Sequence, residues 1–520
     1  MAVTGGCAGD DGASDGGGSS GTGGTTGAGP GGSSGTSAAT TAGSSDGGSG
    51  PGADSSTGAD ATGTASTTTG ATSTGGESSG ETGTTAGGDT GTDDTSTGGG
   101  TEGTSTGVAM PDGCFDPLIF PFDGPLCGPA ANPCAVLAAE TIEPTVIARN
   151  GTPSIAFDNE CQPAVLHAQS VGGALGFFAR RQGDDDWDVA GTPFPMSQGG
   201  LDFDPQSETF VAMAYEGGFN MSARTYDGNW DAGDPLMGSF SLSTKAFALS
   251  GDASLHGVLR ESGVAFADAT WDAAWSTAAT SSGATDVNAA LAVAPGGGHH
   301  YTYWHYADDG PVLRWETSDG DLEEVIAYGD DIVSSALVQE IALVDGGDPQ
   351  PYVLVATETA PDDRVEIFVV RRDAANTWTA FVVASEDPTA ETNCNAAPFM
   401  PGQSCTLDRT TYRPLAIAAS LGGDVRWLYS ETHQLIDYES ECAANCIWVP
   451  VADASTYGTW LGWLEGGAAA ATELLPDVRI TRANAEIDGE GTMHVVAYAD
   501  VIPDTISNGT TVEYFRIGSP

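Results

Sequence analysis

One strand-like pattern returns seven times in the last four hundred residues of this chain, and that recurrence constrains its fold more than any other feature. The pattern reads 152-TPSIAFD, 209-TFVAMAYE, 253-ASLHGVLRE, 299-HHYTYWHYADD, 351-PYVLVATE, 424-DVRWLYSE and 492-TMHVVAYAD. Its apolar residues run together or alternate, and Gly, Asp, Asn and Pro punctuate the gaps, which is the texture of β-strands and turns. A second strand follows most copies: 176-GFFARR, 221-MSARTYD, 264-VAFADAT, 312-VLRWETS, 365-VEIFVVRR and 512-VEYFRIG. An aromatic often opens a third, at Trp187, Trp230, Trp275, Trp378 and Trp448. Another strand precedes each group: 145-TVIAR, 201-LDFD, 246-AFALS, 288-NAALAVA, 338-VQEIALV, 413-RPLAIAA and 477-DVRITRA.

Four strands per unit at intervals of roughly 44–74 residues is the spacing of propeller blades. The fold class expected is therefore all-β, a β-propeller of seven four-stranded blades. The last unit stops after its third strand, and the run 134-CAVLAAETI ahead of the first unit could supply the fourth and close the ring. Closure would remove the open sheet edges that invite aggregation. Six or eight blades are the alternatives, because the unit at about 413–465 is irregular and contains Cys442 and Cys446. A pair of β-sandwiches is the other topology. Only 466–475, rich in alanine, tempts a helix, and it reads as an insertion.

The first hundred residues differ in kind. Residues 8–112 are almost wholly Gly, Ser, Thr, Ala and Asp, with no base. Such a segment cannot bury enough apolar surface to offset its chain entropy, so a disordered linker is expected. A flexible coil of about 100 residues spans roughly 55 Å. The division is thus 1–7 as the remnant of an export signal, 8–112 as linker, and 113–520 as the propeller. No apolar run is long enough to span a membrane as a helix.

Nine cysteines sharpen the address. Eight lie in 113–520, an even number that suits four disulfides in an oxidising compartment. The local pairs preferred are Cys114–Cys127, Cys134–Cys161, Cys394–Cys405 and Cys442–Cys446, out of 105 possible pairings. Cys7 is left over, in 3-VTGGCAG directly before the low-complexity tract. Small residues ahead of a cysteine resemble the end of a bacterial lipoprotein signal, which implies lipidation at Cys7 and a place on the cell envelope or outside it.

The motif 488-DGEGTMHVVAYAD followed by 512-VEYFRIG resembles the repeats of secreted bacterial β-propellers loosely related to sialidases. The whole layout, cysteine then Gly/Ser/Thr tract then propeller, is similar to surface lipoproteins of myxobacteria. The resemblance implies fold and address. It does not extend to sialidase activity: 224-RTYDGNW lacks the leading serine of an Asp-box, and 515-FRIG lies at the wrong end of the chain. Arg516 falls in the repeating second strand, as do Arg181 and Arg372, so these arginines read as structural.

The net charge of −55 repels DNA, RNA and anionic lipid headgroups, which excludes nucleic acid as a partner. No G-x-S-x-G elbow, HExxH or P-loop occurs. On an extended strand His299, Tyr301, Tyr303 and His305 share one face. The two histidines are then about 20 Å apart and cannot chelate one ion between them. The aromatic face, with Tyr303 at its centre, could stack a sugar ring or pack between blades.

Each copy of the recurring strand ends in an acid: Asp158, Glu216, Glu261, Asp308, Glu358, Glu431 and Asp500. A propeller would place these ends on one rim, as a ring that could gather Ca²⁺ or a basic ligand. Turn capping by the same carboxylates is the local alternative. Two function classes remain. One is a monomeric, surface-tethered module that binds an extracellular glycan, protein or cation. The other is a hydrolase or lyase acting on polysaccharide through paired carboxylates; the lack of a catalytic motif favours the first.

Overall fold

The computed structural model of the protein describes residues 126–520, apart from short stretches between strands and some side chains, chiefly within 239–253, 326–338, 343–349 and 502–509. Cys7, Cys114 and the linker at 8–112 lie outside the described residues. No helix among the described residues is long and apolar enough to cross a membrane.

Seven antiparallel sheets form a β-propeller. Blade 1 runs Arg149–Phe157, Pro163–Ser170, Ala174–Gly183 and Asp186–Gly191 from its inner to its outer strand. Blade 2 continues as Gln198–Asp204, Thr209–Tyr215, Met221–Tyr226 and Asp234–Leu236. Blade 3 is Phe240–Leu249, Leu255–Glu261, Phe266–Trp271 and Trp275–Ala279, and blade 4 is Val287–Val293, His299–Ala307, Gly310–Thr317 and Leu322–Val325. In blade 5, Gln339–Val344 and the short Ile332–Ser334 both pair with Gln350–Thr359, which continues to Arg364–Arg372 and Trp378–Ser385. Blade 6 is Ser404–Ala419, Val425–Cys442, Thr456–Glu465 and Ala468–Pro476, with Cys446–Asp453 paired to the overhang of its second strand. Blade 7 is Val478–Ile487, Met493–Val501, Thr510–Gly518 and, as its outer strand, Ala135–Val146.

The ring closes as the sequence suggests. Ala135–Val146 pairs antiparallel with Thr510–Gly518, from Ala135 opposite Gly518 to Val146 opposite Thr510. The inner strands touch one another in turn around the ring, and that of blade 7 meets that of blade 1. Burial repeats the same logic. Each of seven hydrophobic clusters fills the seam between two consecutive blades, as Ile155, Val165, Val496 and Tyr498 do between blades 7 and 1. Trp304, Trp315, Trp427, Tyr498 and Tyr514 are fully buried there. Large aromatic rings bring the most apolar area to such seams.

Three expectations are corrected. The segment 152-TPSIAFD is the first strand of blade 1 and not the counterpart of 209-TFVAMAYE, whose true equivalent is Pro163–Ser170; 145-TVIAR straddles the closing strand and blade 1. The alanine-rich stretch is a strand, because the half-buried Ala469 and Ala470 fit against Leu464 and Trp463 across the sheet. Trp448 lies on the strand added to blade 6, opposite Ser440.

The disulfides change as well. Cys394–Cys405 and Cys442–Cys446 form as preferred, the latter closing the tip of the blade 6 overhang. Cys127 pairs with Cys134, however, which rules out Cys114–Cys127 and Cys134–Cys161. The reason is a tight turn: Gly128 N donates to Asn132 O and Asn132 N to Pro129 O, leaving the two Cα atoms 4.8 Å apart. Cys161 is also disulfide-bonded, and its partner lies outside the described residues.

Candidate functional site

In a meander of four strands, turns after the first and third strands fall on one rim and turns after the second on the other. On the first of these rims a cleft of about 1010 Å³ opens across blades 7, 1 and 2. Two matching turns form much of its wall. Asp158 Oδ1 accepts the N–H groups of Glu160 (3.0 Å) and Gln162 (2.9 Å), and Asp488 Oδ1 accepts those of Glu490 (2.9 Å) and Thr492 (2.8 Å). Both turns need a left-handed residue at their fourth position. Gly491 (φ 80°) supplies it in blade 7, and Cys161 (φ 63°), anchored by its disulfide, does so in blade 1.

The remaining oxygens of these two acids are also engaged. Asp158 Oδ2 accepts from Arg180 Nη2 at 3.1 Å, and Asp488 Oδ2 lies 2.9 Å from His494 Nε2. His494 Nδ1 is 2.7 Å from the Tyr514 hydroxyl, and the edge of Phe157 meets the imidazole at 4.6 Å. Burial pushes the Asp488 carboxyl up, but its bonds to His494, Thr492 and Glu490 outweigh this and hold it below the usual range. Asp488 is therefore not a proton donor near neutral pH.

The arginines of the cleft divide in two. Arg181 is structural: Nε and Nη2 grip the Glu140 carboxylate at 2.9 and 2.7 Å, and Trp187 Nε1 donates to the same group at 2.9 Å. Arg372 and Trp378 hold Glu323 identically between blades 4 and 5, so this is a repeated inter-blade staple. Arg516 differs. It occupies the third strand of blade 7, its Nε is buried without a hydrogen bond, and no ion pair reaches it among the described residues. Phe203 and Tyr226, half-buried in blade 2, complete the wall beside Glu208 and Asp227.

The expected ring of acids is not one ring. Asp158 ends a first strand and so sits on the cleft rim, opposite the rim of Glu216 and Asp500, which stand at the ends of second strands. Glu216 is held by Arg224 Nε (2.9 Å) and Ser222 Oγ (2.6 Å), and Asp500 accepts from Thr510 Oγ1 at 2.8 Å. Glu431 lies inside a continuous strand, between Tyr412 and Gly458. Burial raises its carboxyl, with the charge of Glu473 adding to the effect. Asp308 and the side chains of Glu261 and Glu358 lie outside the described residues.

Tyr303 is not a ligand platform. It is fully buried between blades 3 and 4, and its hydroxyl donates to Glu316 Oε2 at 2.9 Å. Apolar packing and that carboxylate occupy the face it shares with Tyr301. His299 and His305 belong to the same face, as the alternation predicts, and each meets its own aspartate.

Sequence reasoning missed a carboxylate pair on the inner strands. Glu486, on the inner strand of blade 7, feels the charge of Asp202 on the inner strand of blade 2, two blades away around the ring. Burial, then Asp202, pushes the Glu486 carboxyl up to about 8. The only hint in 477-DVRITRANAEI was alternation: Ala483, Ala485 and Ile487 are buried toward blade 6, and Glu486 takes the other face.

No protein-family model and no curated protein matches the sequence. Similar solved structures include a protein of unknown function from Dyadobacter fermentans, at 8% identity over 74% of this chain and 99% of that one, with a TM-score of 0.39. The α-L-arabinanase of Penicillium chrysogenum complexed with arabinobiose is similar at 11% identity, over 53% of this chain and 94% of its own, with a TM-score of 0.34. The lectin of Aleuria aurantia, in complex with Fucα1-6GlcNAc, is similar at 11% identity over 60% and 97% of the two chains, with a TM-score of 0.31.

Proposed function

We propose that this β-propeller is a non-enzymatic binding module that takes a neutral glycan in the cleft of blades 7, 1 and 2. The observation that carries the reading is Arg516, whose buried Nε makes no hydrogen bond, facing a cleft otherwise rich in carboxylates. A free anion would be repelled by those acids, and a simple cation would leave the guanidinium unmet. Sugar hydroxyls suit both, since each can donate to a carboxylate and accept from a guanidinium. Tyr226 and Phe203 offer the apolar ring edges against which a pyranose packs. Tethering through a lipid on Cys7 and the linker at 8–112 would hold this face away from the cell envelope, and a monomer suffices for it.

Screening the full chain against neutral polysaccharides for retention tests this. Arg516→Ala should abolish retention while leaving the melting temperature unchanged or higher, since it removes an unsatisfied group. Absence of retention by the wild-type chain on any neutral glycan overturns the reading.

Glu486 and Asp202 favour a second reading: a hydrolase in which Glu486, protonated at neutral pH, serves as acid and Asp202 as base. Product release from a retained polysaccharide, lost in Glu486→Gln, would establish it.

A further inference from the structure

Three buried or half-buried aspartates of the described residues pair with histidines, and one pair is incomplete. In the pair His305–Asp286 the ring Nδ1 is 2.9 Å from Oδ1, and Oδ2 accepts the N–H of Gly283 at 2.7 Å. In His494–Asp488 the second oxygen accepts two turn amides. In His299–Asp268, Nδ1 lies 2.9 Å from Oδ2, yet Oδ1 is buried and accepts no hydrogen bond. A carboxylate oxygen left so is costly unless something else meets it.

A second imidazole lies against this pair. His256, across the seam in blade 3, has its ring centroid 3.8 Å from that of His299, at 57°. Both histidines are buried, and the Asp268 carboxylate keeps 11% of its exposure, so the group lies just beneath the rim. One donor atom from each of the three residues falls within 4.8 Å of the others. His256 Nδ1 is 3.1 Å from Thr270 Oγ1; when that N–H donates to the hydroxyl, Nε2 carries the lone pair.

We propose that His256, Asp268 and His299 form a binding site for a divalent transition-metal ion, Zn²⁺ being the ion that suits it. Two imidazole nitrogens and one carboxylate oxygen are a donor set for Zn²⁺ and not for Ca²⁺, which takes six to eight oxygens. Three protein ligands leave a fourth tetrahedral position to water. With bonds of about 2.0–2.1 Å, donor atoms around Zn²⁺ stand about 3.3 Å apart, so the group closes by small side-chain rotations. The ion takes the place of the proton between His299 and Asp268, and the neutral ring keeps its one N–H at Nε2 by a change of tautomer. The site joins blade 3 to blade 4 and is independent of the glycan cleft.

Calorimetric titration of the full chain with Zn²⁺, with the Cys7 thiol alkylated, tests the proposal. One ion per chain is expected. His299→Gln and Asp268→Asn should each weaken binding by about a hundredfold. His433→Gln, at the exposed His433–Asp408 pair, should leave it unchanged. Because a seam variant can misfold, Co²⁺ is added to the wild-type chain as well, where the visible spectrum of a four-coordinate ion is expected. No binding by the wild-type chain, equal binding by the His299 variant, or a six-coordinate Co²⁺ spectrum overturns the proposal.

Discussion

The seam between blades 7 and 1 and the seam between blades 3 and 4 are both polar, yet they resolve burial in opposite ways. At the first, Tyr498 Oη donates to Ala168 O at 2.8 Å and accepts from Ala168 N at 3.2 Å, and Glu140 takes bonds from both Arg181 and Trp187. There the buried carboxylate is met by a guanidinium. At the second, His256, His299, Tyr303, His305 and three carboxylates meet, and among the described residues no arginine or lysine bonds to Asp268, Asp286 or Glu316. A chain with 71 acids and 16 bases cannot provide a guanidinium for every carboxylate. Where it does not, carboxylates are held by histidine, tyrosine hydroxyls and backbone amides, an arrangement that leaves one oxygen open.

The sharpest way to break this contrast is to remove Arg181. Arg181→Met strands the buried Glu140 carboxylate and should cost about 3–5 kcal/mol in chemical denaturation. Next comes pH, which reads blade 7. The Glu486 carboxyl is raised in the folded chain, so the folded state binds more protons than the unfolded one between pH about 4.5 and 8. Its contribution to stability is complete below about pH 4.5 and lost as pH rises through 8, and Glu486→Gln should remove that slope. Asp488 has the opposite sign. Its contribution is present at neutral pH and lost in acid below its ordinary range, so His494→Phe should shift acid unfolding to higher pH. At the seam of blades 3 and 4, Tyr303→Phe should cost only about 1 kcal/mol, because Ser281 N still donates to both Glu316 oxygens. An equal loss for Arg181→Met and Tyr303→Phe would erase the distinction between the seams.

The repeat was legible because every blade uses the same apolar alternation, and that sameness also explains the slip in blade 1. All strands of a blade alternate, so only the turn at the end of a strand distinguishes first from second. The turn after Phe157 carries an acid, as the ends of the other second strands do, while Pro163–Ser170 ends in none. Alternation alone therefore assigns Asp158 to the wrong rim. The site was less legible for a different reason. Spacing along one strand correctly kept His299 from His305, but the partner of His299 is His256, 43 positions away and in another sheet. Glu486 and Asp202 are 284 positions apart in the chain, on inner strands only two blades apart around the ring. Contacts of that kind depend on how sheets are stacked, which alternation within a strand does not encode.

The closing strand has a mechanical consequence. Its first residue, Ala135, is opposite Gly518 near the C-terminus, so the two ends of the folded chain leave the ring side by side. Tension between them would load the pair of strands like a zipper, one rung at a time, which is the weak direction for an antiparallel ladder. Ahead of the first rung stands a clasp: the Cys127–Cys134 disulfide, the 2.7 Å bond from Arg426 Nε to Cys127 O, and the 2.8 Å bond from Ser519 Oγ to Asn132. Arg426 belongs to blade 6, so a pull on the N-terminal segment is shared with a neighbouring sheet before it reaches the zipper. A pull on the segment before Cys127 therefore meets the clasp before it meets the ladder.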